Sequence, residues 1–221
     1  MVEILSAREA SKKIRSNSTI MIGGFGNVGN PKVMIDYVAK EKVENLTVIA
    51  NDLGTPNVGL GRWLRQKKIT RAIGTYFTWN PEAAQEMRAG NLEVILMPQG
   101  SFAEAIRAGG AGLGGFYTPV GLGTEVTEGA EQRQIDGKDY VFVKPLKADY
   151  ALLHAKKADT LGNLVFECTA RNFNPVMAMA AECTIVEVEE IVPVGALSPE
   201  EIITPFIFVD ILVPMVKEEV R

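Results

Sequence analysis

The chain has 221 residues, 47% hydrophobic and 23% charged, with 23 Lys and Arg against 27 Asp and Glu for a formal charge of −4. A folded chain of this length buries roughly 70% of the surface its unfolded form exposes, so it needs no disulfide or metal, and one domain over residues 1–221 is expected. The acidic balance, with no basic run longer than Lys67-Lys68, argues against nucleic acid or an anionic membrane as partner.

Short Val- and Ile-rich runs alternate with helical patterns along the chain, the pattern of βαβ units around a mostly parallel sheet. The first predicted strand is Thr19-Ile20-Met21-Ile22, which runs straight into Gly23-Gly24-Phe25-Gly26-Asn27-Val28-Gly29-Asn30-Pro31. Pro31 suits a helix start, because its missing N–H would be unpaired there anyway, and Val33, Met34, Tyr37 and Val38 then recur at helical spacing. Residues 46–50 read as a buried strand and residues 51–54 as a turn, and another strand falls within 69–77. Pro81 opens a helix carrying Ala83, Ala84 and Met87, which Gly90-Asn91 closes. Residues 92–97 are the fourth strand. A helix over about 102–108 follows, with Ser101 as its natural N-cap and Gly109-Gly110 as its stop. Eight glycines then crowd residues 109–129. Asp136-Gly137-Lys138-Asp139 reads as a hairpin turn between residues 132–135 and 140–143. Residues 150–155 form a further strand, 160–163 turn the chain into 164–166, 175–182 read as a short Ala/Met helix, and 184–188 as the last clear core strand.

The chemistry available is limited. There is one histidine, His154, and it lies in an apolar strand pattern that favours a structural role. Cys168 and Cys183 form neither a CxxC pair nor a metal set, and they suit a reducing cytoplasm. No apolar run approaches the roughly 18 residues of a membrane span, and the charged N-terminus does not read as a signal peptide. Glu104, Glu125, Glu128, Glu167 and Glu182 are each more often solvated or capping residues than nucleophiles, and Glu187-x-Glu189-Glu190 reads as a solvated strand end. The spacing Gly24-x-Gly26-x-x-Gly29 fits a nucleotide-loop string, but Glu44 precedes the second strand rather than ending it, and the helix starts late. The loop therefore reads either as a cradle of backbone donors at a helix N-terminus or as a tight packed turn. Gly109-Gly110-Ala111-Gly112-Leu113-Gly114-Gly115, without the Lys-Ser/Thr of a phosphate loop, suits backbone packed on a ligand or partner, or a flexible connection.

The string Ile20-Met21-Ile22-Gly23-Gly24-Phe25-Gly26-Asn27-Val28-Gly29-Asn30-Pro31 resembles the signature of the alpha subunit of family I 3-oxoacid CoA-transferases. Further segments match in order, among them Asn51-Asp52, Pro98-Gln99-Gly100-Ser101-Phe102, Arg107-Ala108-Gly109-Gly110, Arg171-Asn172-Phe173-Asn174-Pro175 and Val186-Glu187-Val188-Glu189-Glu190. The resemblance implies a three-layer α/β fold with a mostly parallel sheet, of the ribose-5-phosphate-isomerase-like type. It implies transfer of CoA between an acyl-CoA and a short-chain carboxylic acid through a glutamyl-CoA thioester, with the nucleophilic glutamate in a Ser-Glu-Asn-Gly motif of a beta subunit. This chain has no such motif. By the same resemblance Gly23, Gly24, Phe25, Gly26, Asn27, Val28 and Gly29 bind CoA, Gln99 and Asn51 line the acyl or anhydride site, and the assembly is α2β2 or α4β4. CoA is then a substrate, with no permanently bound cofactor and no metal. Ser16-Asn17, Thr204-Pro205-Phe206 and the aromatic Tyr76-Phe77-Thr78-Trp79 depart from the family pattern, and the last is expected to shape the acyl pocket or an interface.

Two other readings compete with this one. One is a non-catalytic CoA- or acyl-CoA-binding module. The other is a self-sufficient isomerase or hydrolase using Glu104 or Glu167 with His154.

Overall fold

The structure is a computed structural model and describes residues 2–215. In chain order its elements are β1 (Glu3–Ile4), α1 (Ala7–Ser11), β2 (Thr19–Ile22), α2 (Lys32–Val38), β3 (Leu46–Ala50), α3 (Leu60–Arg65), β4 (Ile69–Gly74), α4 (Pro81–Arg88), β5 (Glu93–Leu96) and α5 (Gln99–Gly110). They continue as β6 (Phe116–Thr118), β7 (Gln132–Ile135), β8 (Lys138–Val143), β9 (Ala148–Asp159), β10 (Leu164–Val165), α6 (Asn174–Ala178), β11 (Ala181–Val192) and β12 (Ile211–Pro214).

The main sheet runs β1-β12-β11-β9-β2-β3-β4-β5, and every neighbouring pair in it is parallel. Among the described residues only β10, folded back on β9, is antiparallel to it, and β6, β8 and β7 make a separate antiparallel sheet. Strand alternation sends each strand's side chains to two cores. Ile20 and Ile22 face the core covered by α1 to α4, whereas Met21 faces the core under α5 and α6. Tyr150 and Leu152 on β9 repeat the division against Ala151 and Leu153. Apolar side chains on both faces are what a parallel sheet between two helical layers requires, so the three-layer α/β architecture is observed. The largest buried side chain in the first layer, Trp63, also has its indole N–H satisfied by Ile35 O at 2.8 Å.

Several boundaries differ from those the sequence suggests. Helix α5 begins at Gln99, directly after Pro98, and Ser101 lies buried inside its first turn, so Ser101 is not the cap. The helix also runs through Gly109-Gly110 instead of stopping there. A Cβ on Gly109 would lie 1.9 Å from Leu146 O, so this glycine lets two backbones meet. Helix α6 ends at Ala178 because Ala181 already pairs with Ala148 in the sheet. Strands β9 and β11 each run to 12 residues, well past their apolar centres, because they pair with each other along most of that length. The sequence pattern does not reveal β1, α1, α3 or β12, although Ser6 and Glu9 form a reciprocal capping box on α1.

Candidate functional site

The strand order turns at β2. From there the chain builds β3, β4 and β5 on one side, and β9, β11 and β12 on the other. The crevice beyond the carboxyl end of such a strand is where parallel α/β sheets hold ligands, and residues 23–31 leave β2 into it.

This loop is a small hairpin: Phe25 N–H donates to Val28 O (3.0 Å) and Val28 N–H to Phe25 O (3.2 Å). Gly23 N–H donates to Leu152 O at 3.0 Å, Gly24 N–H to Asn172 Oδ1 at 3.1 Å and Gly26 N–H to Asp52 Oδ2 at 2.9 Å. Of residues 23–29, only Asn27 and Gly29 keep an N–H with no protein acceptor among the described residues. The loop is therefore not an open ring of donors. The glycines also answer to the protein itself: Gly24 holds φ at +118° with the Asn30 side chain 2.1 Å from where a Cβ would stand. Gly29, at +73°, would drive a Cβ to 2.6 Å from Ala170 O.

Asn51 and Gln99, the two side chains assigned to the acyl site from sequence, lie in contact. Gln99 Nε2 donates to Asn51 Oδ1 at 2.8 Å from the first residue of α5, beyond the end of β5. Asn51 Oδ1 also accepts from Thr75 Oγ1 (3.0 Å), and Asn51 Nδ2 donates to Asp52 Oδ2 (3.0 Å). The carboxylate of Asp52 accepts in addition from Gly26 N–H and Gly54 N–H, which ties the glycine loop to the turn after β3. Asp52, Thr75, Asn172 and Asn174 were not singled out from sequence as site residues. Asp52 carried a visible signal, an Asx-type turn onto Gly54 two residues on. The two asparagines lie more than 140 residues from the loop they hold.

Asn51 and Asp52 are buried, while Gln99 is exposed at the rim. On one side of the loop a cavity of about 150 Å³ is lined by Asn27, Asn30, Lys32, Asp52 and Arg62. On the other, Phe25, Asn51, Tyr76 and Trp79 line a second hollow of about 270 Å³. Phe25 (52%), Val58 (57%) and Tyr76 (56%) are exposed around this mouth. The arrangement offers amide donors, two free backbone N–H groups and an apolar rim; of the carboxylates lining it, Asp52 is buried and Asp36 pairs with Arg62 at 2.8 Å.

The other candidates lie elsewhere. Glu104 pairs with Arg107, whose hydrogen bonds hold its carboxyl below the usual range. Glu125, Glu128 and Glu182 are exposed, and Glu167 pairs with Lys156. No group of three or more His, Cys, Asp or Glu among the described residues is placed to hold a metal, and no described helix is long and apolar enough to cross a membrane. His154 Nε2 lies 3.3 Å from Glu189 Oε1, but its Nδ1 is buried without a partner, so it is only half satisfied. Burial holds this imidazole below its ordinary value; Lys32 and Lys156 reinforce that and Glu189 opposes it. The solvated reading of Glu187 is overturned: it is 1% exposed in the middle of β11, because β11 continues to Val192 and this register position faces α2.

The coenzyme A transferase family model matches residues 4–214. The chain is 46% identical over 201 residues to the A component of the succinyl-CoA:3-ketoacid coenzyme A transferase of Helicobacter pylori strain J99, covering 91% of this chain and 87% of that one. It is 41% identical over 208 residues to the alpha subunit of the acetate CoA-transferase of Escherichia coli K12, covering 94% of each. Its fold matches that of an acyl-CoA transferase (YdiF) from E. coli O157:H7, solved as a thioester complex with CoA, at a TM-score of 0.86 and 21% identity. That match covers 97% of this chain and 47% of the other, so the chain spans about half the length of that neighbour.

Proposed function

Because the chain belongs to the coenzyme A transferase family, we propose that it is the alpha subunit of a heteromeric transferase that moves CoA between an acyl-CoA and a short-chain or 3-oxo acid. The relatives named as A or alpha components support a partner beta subunit, and so does the chain's half-length match to a longer acyl-CoA transferase. An α2β2 or α4β4 assembly fits this reading, with the chain acting as one domain.

The observation that carries the reading is the Gln99–Asn51–Asp52 chain at the carboxyl edge of the sheet, which presents amides and no free nucleophile. In the proposed reaction a glutamate carboxylate of the partner attacks the thioester carbonyl. The tetrahedral oxyanion then collapses, expelling CoA as thiolate and leaving an acyl-glutamyl anhydride. The thiolate attacks the glutamyl carbonyl, which releases the original acid and forms the glutamyl-CoA thioester; the acceptor acid reverses both steps. Every step exchanges a carboxylate and a thiolate, so no general base is needed, and His154 has no role in it. An oxyanion needs fixed donors. Gln99 Nε2, oriented by Asn51 and Thr75, is one, and the N–H groups of Asn27 and Gly29 are the others. Residues 23–29 border the CoA thioester, and Tyr76 with Trp79 form a wall of the acyl pocket.

The test is an acyl-CoA/carboxylate exchange assay on the chain alone and on the complex it forms. Exchange by the complex only is expected. Binding of acyl-CoA without turnover in any assembly would favour the binding-module alternative.

A further inference from the structure

Helix α2 begins directly after the glycine loop, yet it lacks an N-cap of its own. Pro31 occupies that position and makes no side-chain hydrogen bond to the first turn. An uncapped first turn leaves N–H groups unsatisfied, and in a buried setting each costs free energy. Here the missing acceptor comes from the sheet: Met34 N–H donates to Glu187 Oε2 at 2.9 Å, across 153 residues of sequence, with Met34 and Glu187 both buried.

A carboxylate is an expensive group to bury. Ile185 and Val213, on the same core face of β11 and β12, are apolar. A residue with only a packing duty at position 187 would be apolar too. The second oxygen of Glu187, Oε1, is buried without a partner, as is His154 Nδ1, and the two residues stand opposite each other in the β11–β9 register. His154 also connects to the loop, since its backbone N–H donates to Asn174 Oδ1 while Asn174 Nδ2 donates to Gly29 O. The loop is thus held on one side through Asn174 and on the other through α2. Lys32 N–H, the first of α2, donates to Asn30 O at 2.9 Å, and Asn30 Nδ2 donates to Gly23 O at 3.2 Å.

We propose that Glu187 is a positioning residue for the transfer reaction: from the neighbouring strand it caps α2 and thereby fixes residues 23–31, with their free Asn27 and Gly29 amides, at the carboxyl end of β2. Its catalytic consequence rests on the transferase reading, but the cap itself does not.

Two measurements on wild type, Glu187→Gln and Glu187→Leu separate the two. Hydrogen exchange over residues 23–31 is read on the full chain, and kcat and KM on the assembled complex. Gln keeps an acceptor oxygen, so loop exchange and kcat stay within about threefold of wild type. Leu removes it: loop amides exchange about tenfold faster while β3 and β4 amides do not change, and kcat falls about tenfold or more with KM within about twofold. A purely structural role would lower stability without a loop-selective change or a kcat effect in the folded enzyme. Wild-type loop exchange in Glu187→Leu overturns the proposal. Should Glu187→Leu fail to fold, Glu187→Asp, one methylene short of Met34, is read by the same criterion. Absence of turnover in the unaltered complex would remove the transferase reading and leave the exchange comparison to decide the cap.

Discussion

Gln99 makes its one side-chain hydrogen bond to Asn51 and sits exposed at the rim, so truncating it costs the fold little. In the proposed reaction, however, it is an oxyanion donor, and on that reading Gln99→Ala is expected to lower kcat by about 10²-fold with an unchanged melting temperature. Asn51→Ala differs in kind. Asn51 is 2% exposed and its amide serves Gln99, Thr75 and Asp52, so its loss lowers stability as well, by about 1–3 kcal/mol. Steady-state kinetics beside thermal melts of both variants separate the two effects. Glu187 supplies a pH dependence. Burial pushes its carboxyl up to about 7 from the ordinary 4.5, against the amides of Met34 and Val33 and the charge of Lys32, with Asp36 adding to the rise. An acid raised in the folded state favours folding most below its unfolded value, and that advantage declines as pH climbs from about 4.5 to about 7. Glu187→Gln, with no proton to lose, is therefore expected to be more stable than wild type at pH 8, by up to roughly 3 kcal/mol, and equal to it near pH 4.5. A higher wild-type melting temperature at pH 8 would contradict this. Nothing local in the sequence marked Glu187 as buried, because two more acids follow within three residues and only the length of β11 shows which side of the sheet each faces.

The glycine loop was legible as an element, and so were β2, β3 and the two halves of the β7–β8 hairpin, because short strand runs bounded by turn residues are local signals. Its internal logic was not. The acceptor of Gly24 N–H, a second donor to Val28 O and the donor to Gly29 O come from Asn172 and Asn174, which chain distance hides and only the sheet order brings close. Two glycines with nearly equal φ test that logic. Gly29 (φ +73°) would place a Cβ 2.6 Å from Ala170 O, while Gly123 (φ +74°) has nothing within 4 Å. Both alanine variants bear the left-handed penalty of about 1–2 kcal/mol. Gly29→Ala is expected to lose clearly more in a denaturant titration, and equal losses would remove the packing argument for the loop. Helix α3 was missed because its first signal is Gly59 in a left-handed turn rather than a capping side chain. The two-residue β1 is too short for any periodicity to show.

At the scale of the molecule, five of the exposed large hydrophobic residues, Phe25, Val28, Val58, Tyr76 and Trp79, line the hollows around the glycine loop. A patch of this kind beside the site fits the proposed partner closing over it. Tyr76→Glu is expected to weaken association with the proposed beta subunit by more than about tenfold while the chain alone melts as before, read by calorimetric titration of one protein into the other. The fold class was legible from alternation alone, whereas the proposed division of the site between two chains showed in the sequence only as the missing Ser-Glu-Asn-Gly motif. Everything proposed for the reaction depends on that division, and intact-mass spectrometry can decide it. The assembled complex is incubated with acetoacetyl-CoA without acceptor acid, and each chain is then weighed intact. The mass of a CoA thioester is expected on the partner, with this chain unmodified. A CoA adduct on this chain would contradict the division and place the nucleophile among its own carboxylates.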